Sequence, residues 1–238
     1  MAGHSKWANI KHRKEKADAQ KGKMFSRVAK EIISAVKLGG SDPKSNTRLR
    51  MAIQKAKEVN FPQENIDKNI KKASSPDQAA FENITYELYG HGGVGLLIEL
   101  MTDNKNRTAT EMRIATNKRG GTIAQPGAVA FNFDRKGVIQ VAKEGNEEEA
   151  LFKLALEAGA EDFEGTEEGY LILTDPLELY AVKERLQEAS VVIQSAEIEM
   201  IPKTVVTCQE EDQRANLALI EWIEGLEDVT SVFHNMGS

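Results

Sequence analysis

Cysteine is almost missing from this 238-residue chain. Cys208 stands alone, which excludes a disulfide framework and a cysteine-rich zinc site. Long apolar runs are missing too: the longest stretches, such as Val94 to Ile98 with Gly95 inside, fall far short of the ~20 residues a membrane helix needs. Basic residues begin at Lys6, but no apolar segment follows them, so no cleaved secretory signal is expected and the expected compartment is the cytoplasm. The four histidines, His4, His12, His91 and His234, show neither H-E-x-x-H spacing nor a cysteine pair nearby, and no structural metal is expected. No G-x-x-x-x-G-K-[ST] phosphate loop and no G-x-S-x-G elbow occurs. Cys208 lies in the apolar stretch Val205-Val206-Thr207-Cys208 with no basic neighbour to favour its thiolate, and buried packing accounts for it.

One glycine motif remains. Gly90-His91-Gly92-Gly93-Val94-Gly95 satisfies G-x-G-x-x-G, but a dinucleotide site needs that turn to open a helix whose N-terminus receives the pyrophosphate. Val94 to Met101 instead continues as a strand-like run, so a hairpin turn is expected. The many carboxylates fall at helix starts, turns and exposed helical positions, which reads as a solvated acidic face. No catalytic residue and no cofactor is expected.

What the chain does have is charge, unevenly distributed. Charged residues are 29% and hydrophobic ones 40% of the whole, the balance of an ordinary globular protein. Residues 1 to 75 hold 18 Lys/Arg against 7 Asp/Glu, whereas residues 76 to 238 hold 13 against 30. The net charge of −6 therefore hides a basic first third joined to an acidic remainder, a cue for contact with nucleic acid or an anionic surface.

The first third reads as helical. From Ala17 to Leu38 the set Phe25, Val28, Ala29, Ile32, Ile33 and Val36 recurs at three- and four-residue spacing, and Gly39-Gly40-Ser41-Asp42-Pro43 ends it. Leu49, Ile53 and Ala56 mark a second helix. Pro62, placed in a first helical turn, announces a third with Ile66 and Ile70 on one face. Ala73-Ser74-Ser75-Pro76 reads as a linker.

After Phe81 the period becomes two. Ile84 to Tyr89 and Val94 to Met101 pair as strands, and a helix follows from Thr108 with a Thr108-x-x-Glu111 capping box. Val129 to Asp134 and Gly137 to Val141 read as a hairpin turning at Arg135-Lys136. Helices are expected over Asn146 to Ala158, Asp175 to Gln187 and Gln209 to Glu224, and strands over Tyr170 to Leu173, Val191 to Ile198 and Val229 to Phe233. Gly159-Ala160-Glu161-Asp162-Phe163 echoes Gly225-Leu226-Glu227-Asp228-Val229, which points to two related α+β units of ferredoxin-like layering.

The strongest chemical signal is the segment Gly3 to Arg27. Lys6, Lys11, Arg13, Lys14, Lys16, Lys21, Lys23 and Arg27 face only Glu15 and Asp18, and cations at this density bind phosphate backbones by displacing condensed counterions. The alternative, a merely solvated helical face, fits less well beside the acidic remainder. Trp7 and His12 offer stacking on bases or sugars, although Trp7 alone is better explained as an anchor of the arm against the bundle. The stripe from Phe25 to Val36 is more economically a bundle core than a lipid-facing surface, so no membrane partner is expected. A second patch, Thr102-Asp103-Asn104-Lys105-Asn106-Arg107-Thr108, is either a helix-capping loop or a further nucleic-acid contact through Lys105 and Arg107.

Those residues carry a family likeness. AGHSKWANIKHRK, AIQKAKEVNFPQENIDKNIKKA, YELYGHGGVGLLIELMTDNKNRTATEMR and AVAFNFDRKGVI together resemble the YebC family, also called YebC/PmpR transcriptional regulators, whose mitochondrial relative is a translational activator of cytochrome c oxidase. The likeness runs over essentially the whole chain. His91 stands where the family has Pro, and Ala128 where Ser is common. The resemblance implies a helical bundle domain followed by two α+β domains, one discontinuous: residues 1–75, then 80–128 plus 201–238, with 129–200 inserted. It further implies a non-enzymatic role in gene expression, either as a DNA-binding transcriptional regulator or as a ribosome-associated factor that binds ribosomal RNA and relieves stalling. The transcriptional role is placed first. No helix-turn-helix signature announces a recognition helix.

Overall fold

The computed structural model describes residues 21–75, 80–166 and 169–237. Residues 17–20 of the expected first helix, and Pro76 of the linker, lie outside them.

Three helices form the first unit: α1 (Lys21–Gly39), α2 (Thr47–Glu58) and α3 (Gln63–Ala73). Their apolar stripes converge on one core containing Val28, Ile32, Ile33 and Val36 of α1, Leu49, Ala52 and Ala56 of α2, and Ile66 and Ala73 of α3. Phe25 meets Phe61 edge to face with ring centroids 5.1 Å apart. The α1–α2 turn depends on buried Asn46, whose amide donates to Ala35 O (2.8 Å) and Gly40 O (2.7 Å) while its oxygen caps α2 at Leu49 N (3.0 Å). A Cβ on Gly39 would lie 2.8 Å from that side chain, so the close approach requires glycine. Pro62 is the residue before α3 rather than its first helical position, and its carbonyl accepts from Asn65 and Ile66.

The rest of the described chain is two four-stranded antiparallel sheets, each covered by two helices. Sheet one contains β1 (Glu82–Tyr89), β2 (Gly95–Thr102), β3 (Thr122–Ile123) and β8 (Val229–His234) in the order β3-β1-β2-β8. Its helices are α4 (Lys105–Arg119) and α7 (Glu210–Gly225). Sheet two contains β4 (Phe133–Ala142), β5 (Asp162–Gly165), β6 (Gly169–Thr174) and β7 (Ile193–Pro202) in the order β5-β6-β4-β7, with α5 (Glu148–Glu157) and α6 (Leu179–Glu188). Sheet two therefore follows the βαββαβ chain order of a ferredoxin-like unit. Sheet one has the same spatial arrangement, but the strand between β3 and β2 comes first in the chain.

Leu96, Ile98 and Leu100 of β2 face Met112 and Ala115 of α4 and Leu219, Ile220 and Ile223 of α7. The intervening Leu97 packs with Val129, Phe133 and Phe233 on the other face. Burial on both faces explains why this strand reads as a continuous apolar run rather than an alternation.

Several expectations are corrected. Helix α4 begins at Lys105, three residues before Thr108, and its cap is Asn104, whose side chain accepts from Arg107 N (3.1 Å). Thr108 is buried inside the first turn, so its hydroxyl is turned inward and makes no capping box. Arg135 and Lys136 do not turn a hairpin. They lie within the single strand β4, pairing with Met200 and Glu199, and are polar because this part of the strand has no partner on its other side. Strand β3 has no counterpart among the expected strands, whereas β5 begins in the segment that leaves the helix at Gly159; both are short edges, with two and four residues. Asp175 begins a turn, accepting from Leu177 N (2.8 Å), and α6 starts only at Leu179. Cys208 lies outside any strand and is half-buried. Only Val206 of that stretch forms a bridge, to Met236.

The passage between the sheets is pinned by Glu87. Its carboxylate accepts backbone N–H bonds from Gly127 (2.6 Å), Val129 (2.6 Å) and Ala130 (2.8 Å). Burial alone raises its pKa, but these three donors outweigh that and hold it below the ordinary glutamate value. Replacing Glu87 with Gln turns one acceptor oxygen into an NH2 group facing backbone donors. The expected loss is about 2 to 3 kcal/mol, read by thermal or urea unfolding, and a loss under ~0.5 kcal/mol would contradict the pinning role.

Candidate nucleic-acid interface

The structure sorts the basic first third into cations that point inward and cations that face solvent. Lys30, in the middle of α1, is buried and reaches across to the second unit, where its ammonium meets Asp228 Oδ1 at 3.0 Å, Glu227 O at 3.1 Å and Met101 O at 3.4 Å. Arg27 donates to Glu31 (3.1 Å) and to Thr230 O (2.9 Å). Glu31 also receives Lys55 at 2.9 Å. Burial tends to lower the Arg27 pKa, but Glu31, Glu197 and Glu99 overcome it and raise the value. Lys23 is half-buried, and that desolvation, with repulsion from Lys30, lowers its pKa to about 8 against the opposing pull of Glu224. Of the expected phosphate ligands, Arg27 thus lies within the contact between α1 and sheet one, and Lys23 is half-buried near Glu224 of α7. Lys6, Trp7, Lys11, His12, Arg13, Lys14 and Lys16 lie outside the described residues, and Lys21 opens α1.

The second patch is drawn into the same network. Arg107 Nη2 meets both oxygens of Asp228 at 2.8 Å and Asp103 Oδ1 at 2.9 Å. Thr102 and Thr108 each donate a hydroxyl to Asp228 Oδ2 at 2.9 Å. Asp228 is 1% exposed, and although burial pushes its pKa up, Arg107, Lys30 and the two threonines outweigh it and hold the carboxyl below the ordinary aspartate value. Bonding to Asp228 in turn raises the Arg107 pKa. Lys105 pairs with Glu82 at 2.6 Å, an exposed contact of little energetic weight. Arg107 and Lys105, unexplained by helix capping alone, have carboxylate partners from β1, from the loop before α4 and from the turn before β8.

The outward cations are different residues. Lys44, Arg48, Lys57, Lys68, Lys71 and Lys72 are exposed and form no ion pair among the described residues, and Arg50 bonds only to Pro43 O and the Thr47 hydroxyl. Lys68, Lys71 and Lys72 share one face of α3 by their three- and four-residue spacing, opposite the buried Ile66 and Ala73. That periodicity was available in the sequence.

The glycine segment holds no helix N-terminus for a phosphate. His91–Gly93 is a single 3-10 turn joining β1 to β2. Asn216 closes it, accepting from His91 N (2.8 Å) and donating to His91 O (3.0 Å). His91 Nε2 lies 2.9 Å from Arg119 O, so His91 ties the turn to the end of α4. Among the described residues no group of three His, Cys, Asp or Glu side chains is placed to hold a metal, and no helix is long and apolar enough to cross a membrane. A groove beside sheet two, lined also by Leu173 and Ile201, carries Lys136 and Lys203, paired with Glu161 (2.6 Å) and Asp134 (3.1 Å).

Comparison with known proteins agrees over almost the full length. Residues 5–76 match the family model described as the TACO1/YebC protein N-terminal domain, and residues 81–236 match the TACO1/YebC second and third domain. A relative from Protochlamydia amoebophila, named a probable transcriptional regulatory protein, is 64% identical over 236 residues, covering 99% of this chain and 96% of its own. A Chlamydia pneumoniae protein of the same description is 60% identical over 237 residues, covering 99% and 100%. The crystal structure of a conserved hypothetical protein from Aquifex aeolicus superposes with a TM-score of 0.83 at 44% identity, covering 97% of this chain and 96% of that one. By family model, by close relatives and by fold, the chain belongs to the TACO1/YebC family.

Proposed function

We propose that this protein is a non-enzymatic, cytoplasmic regulator of transcription that binds duplex DNA through the phosphate backbone, using the N-terminal arm together with the outward cations of α2 and α3. The observation that carries this is the set Arg48, Lys57, Lys68, Lys71 and Lys72, exposed and without ion pairs among the described residues, on a unit joined to a strongly acidic remainder. Cations left without carboxylate partners retain their full attraction for phosphate, and the energy comes from counterion release rather than from a shaped pocket. The names of the Protochlamydia and Chlamydia relatives support transcription over translation as the process served. The domain limits 1–75, 80–128 plus 201–238, and 129–200 belong to the same proposal, with α1 docked on sheet one through Lys30 and Arg27.

The test is a competition. Full-length protein bound to a labelled mixed-sequence duplex is challenged with an unlabelled ribosomal RNA fragment at equal phosphate concentration. The duplex is expected to stay bound at equal phosphate. Displacement by the RNA well below equality would move the function to the ribosome.

A further inference from the structure

We propose that the outward face of α4 reads base edges in the DNA major groove, supplying a sequence preference that backbone contacts alone do not give. This rests on the duplex binding proposed above. Helix α4 holds Lys105, Arg107, Arg113, Lys118 and Arg119 against one acid, Glu111, which makes it a basic element inside the acidic part of the chain. Its inward face is Thr108, Met112, Ala115 and Thr116, all buried. The opposite face, by helical spacing, is Asn106, Thr110, Arg113, Ile114 and Asn117, all exposed.

That outward composition is unusual for a solvated helix. It has no carboxylate and pairs two amides and a guanidinium with an isoleucine that is 46% exposed. The Asn106, Arg113 and Asn117 side chains have no partner among the described residues, so their donors and acceptors are available. These are the groups that recognise base edges: Asn makes paired bonds to adenine, Arg makes paired bonds to guanine, and an apolar side chain meets the thymine methyl. From Asn106 to Asn117 the helix rises ~16 Å, about five base steps along one strand. The helix is held firmly enough to read them, since Arg107 and Thr108 fix its first turn to Asp228 and the Arg119 carbonyl meets His91. Lys30 anchors the same Asp228, so the backbone-binding unit and the reading helix are braced against one carboxylate. An A-form RNA duplex has too deep and narrow a major groove to admit the helix, which is why duplex DNA is the occupant assigned.

The experiment is a selection from a randomised DNA duplex library with the full-length protein and with an Arg113→Ala/Asn117→Ala variant. A single-stranded RNA library is run in parallel. Both side chains are exposed, and an unchanged melting temperature verifies the fold of the variant. The wild type is expected to enrich a shared motif about five base pairs long, favoured about 10- to 100-fold over scrambled sequence. The variant is expected to keep binding the unselected duplex, with a salt slope reduced by no more than the one cation removed, and to lose the guanine and adenine positions that Arg113 and Asn117 read, because the phosphate contacts of α2 and α3 remain. Binding by the wild type without enrichment would overturn base reading and leave backbone binding standing. The same motif in the variant would overturn the assignment to α4, and enrichment from the RNA library alone would overturn the duplex as occupant. Failure of the wild type to bind either library would overturn both proposals together.

Discussion

Replacing Asp228 with asparagine is expected to cost about 3 to 5 kcal/mol of folding stability at neutral pH, the usual cost of breaking a buried ion pair from one side. The carboxylate is 1% exposed, and it is the anion against which Lys30, itself buried, holds its ammonium, with Asp228 Oδ1 3.0 Å away. Asparagine keeps the shape but removes the charge, leaving Lys30 without an anion and weakening the Arg107 contact. Adding Lys30→Met should recover part of the loss, since the double variant no longer buries an uncompensated charge. The pH dependence has a definite sign. Asp228 has a lowered pKa in the folded chain, so its contribution is present above the unfolded value of ~3.9 and is lost as pH falls through the lower folded value. The gap between wild type and Asp228→Asn should therefore close in acid. Urea unfolding at neutral pH and at several acid values measures both, and a cost under ~1 kcal/mol with no acid narrowing would show that the pair is not what braces α1 against sheet one.

The second large effect is on binding. A variant with Lys57, Lys68, Lys71 and Lys72 all replaced by Gln should lose up to four phosphate contacts, each contributing about −0.9 to the slope of log affinity against log salt on duplex DNA. Its affinity deficit relative to wild type should then be on the order of a hundredfold larger at 50 mM than at 200 mM salt. All four side chains are exposed and without ion pairs among the described residues, so stability should change by less than ~0.5 kcal/mol. Anisotropy titrations across a salt series read the first, and urea unfolding the second.

Much of the fold was legible because periodicity survives wherever one face of an element is buried. The three-residue and four-residue spacing of Val28, Ile32 and Val36, the turn residues Gly90 to Gly93 and the acids at the start of α7 all mark elements the structure contains. The failures share a cause in tertiary context. Thr108 looks like a cap because Ser, Thr and Asn are interchangeable in that role, and only the buried carboxylate of Asp228, 120 residues away, decides that Thr108 turns inward. Arg135-Lys136 looks like a turn because an edge segment carries turn-like polarity. The interface was hardest to read. Counting charges in the first third marks it as basic, but the count treats Arg27 and Lys30 like Lys68 and Lys71. What separates them is a partner on β8 or in the turn before it, supplied by residues about 200 positions later.

That division between inward and outward cations is the centre of the account, and one paired measurement tests it most directly: duplex affinity over a salt series, with unfolding free energy, for the four-lysine Gln variant and for an Arg27→Gln/Arg107→Gln variant. The outward variant should lose salt-dependent affinity and keep its stability, whereas the inward variant should lose stability and, at temperatures where it remains folded, keep the wild-type salt slope. A wild-type slope in the outward variant, or a reduced slope with intact stability in the inward one, would contradict the account.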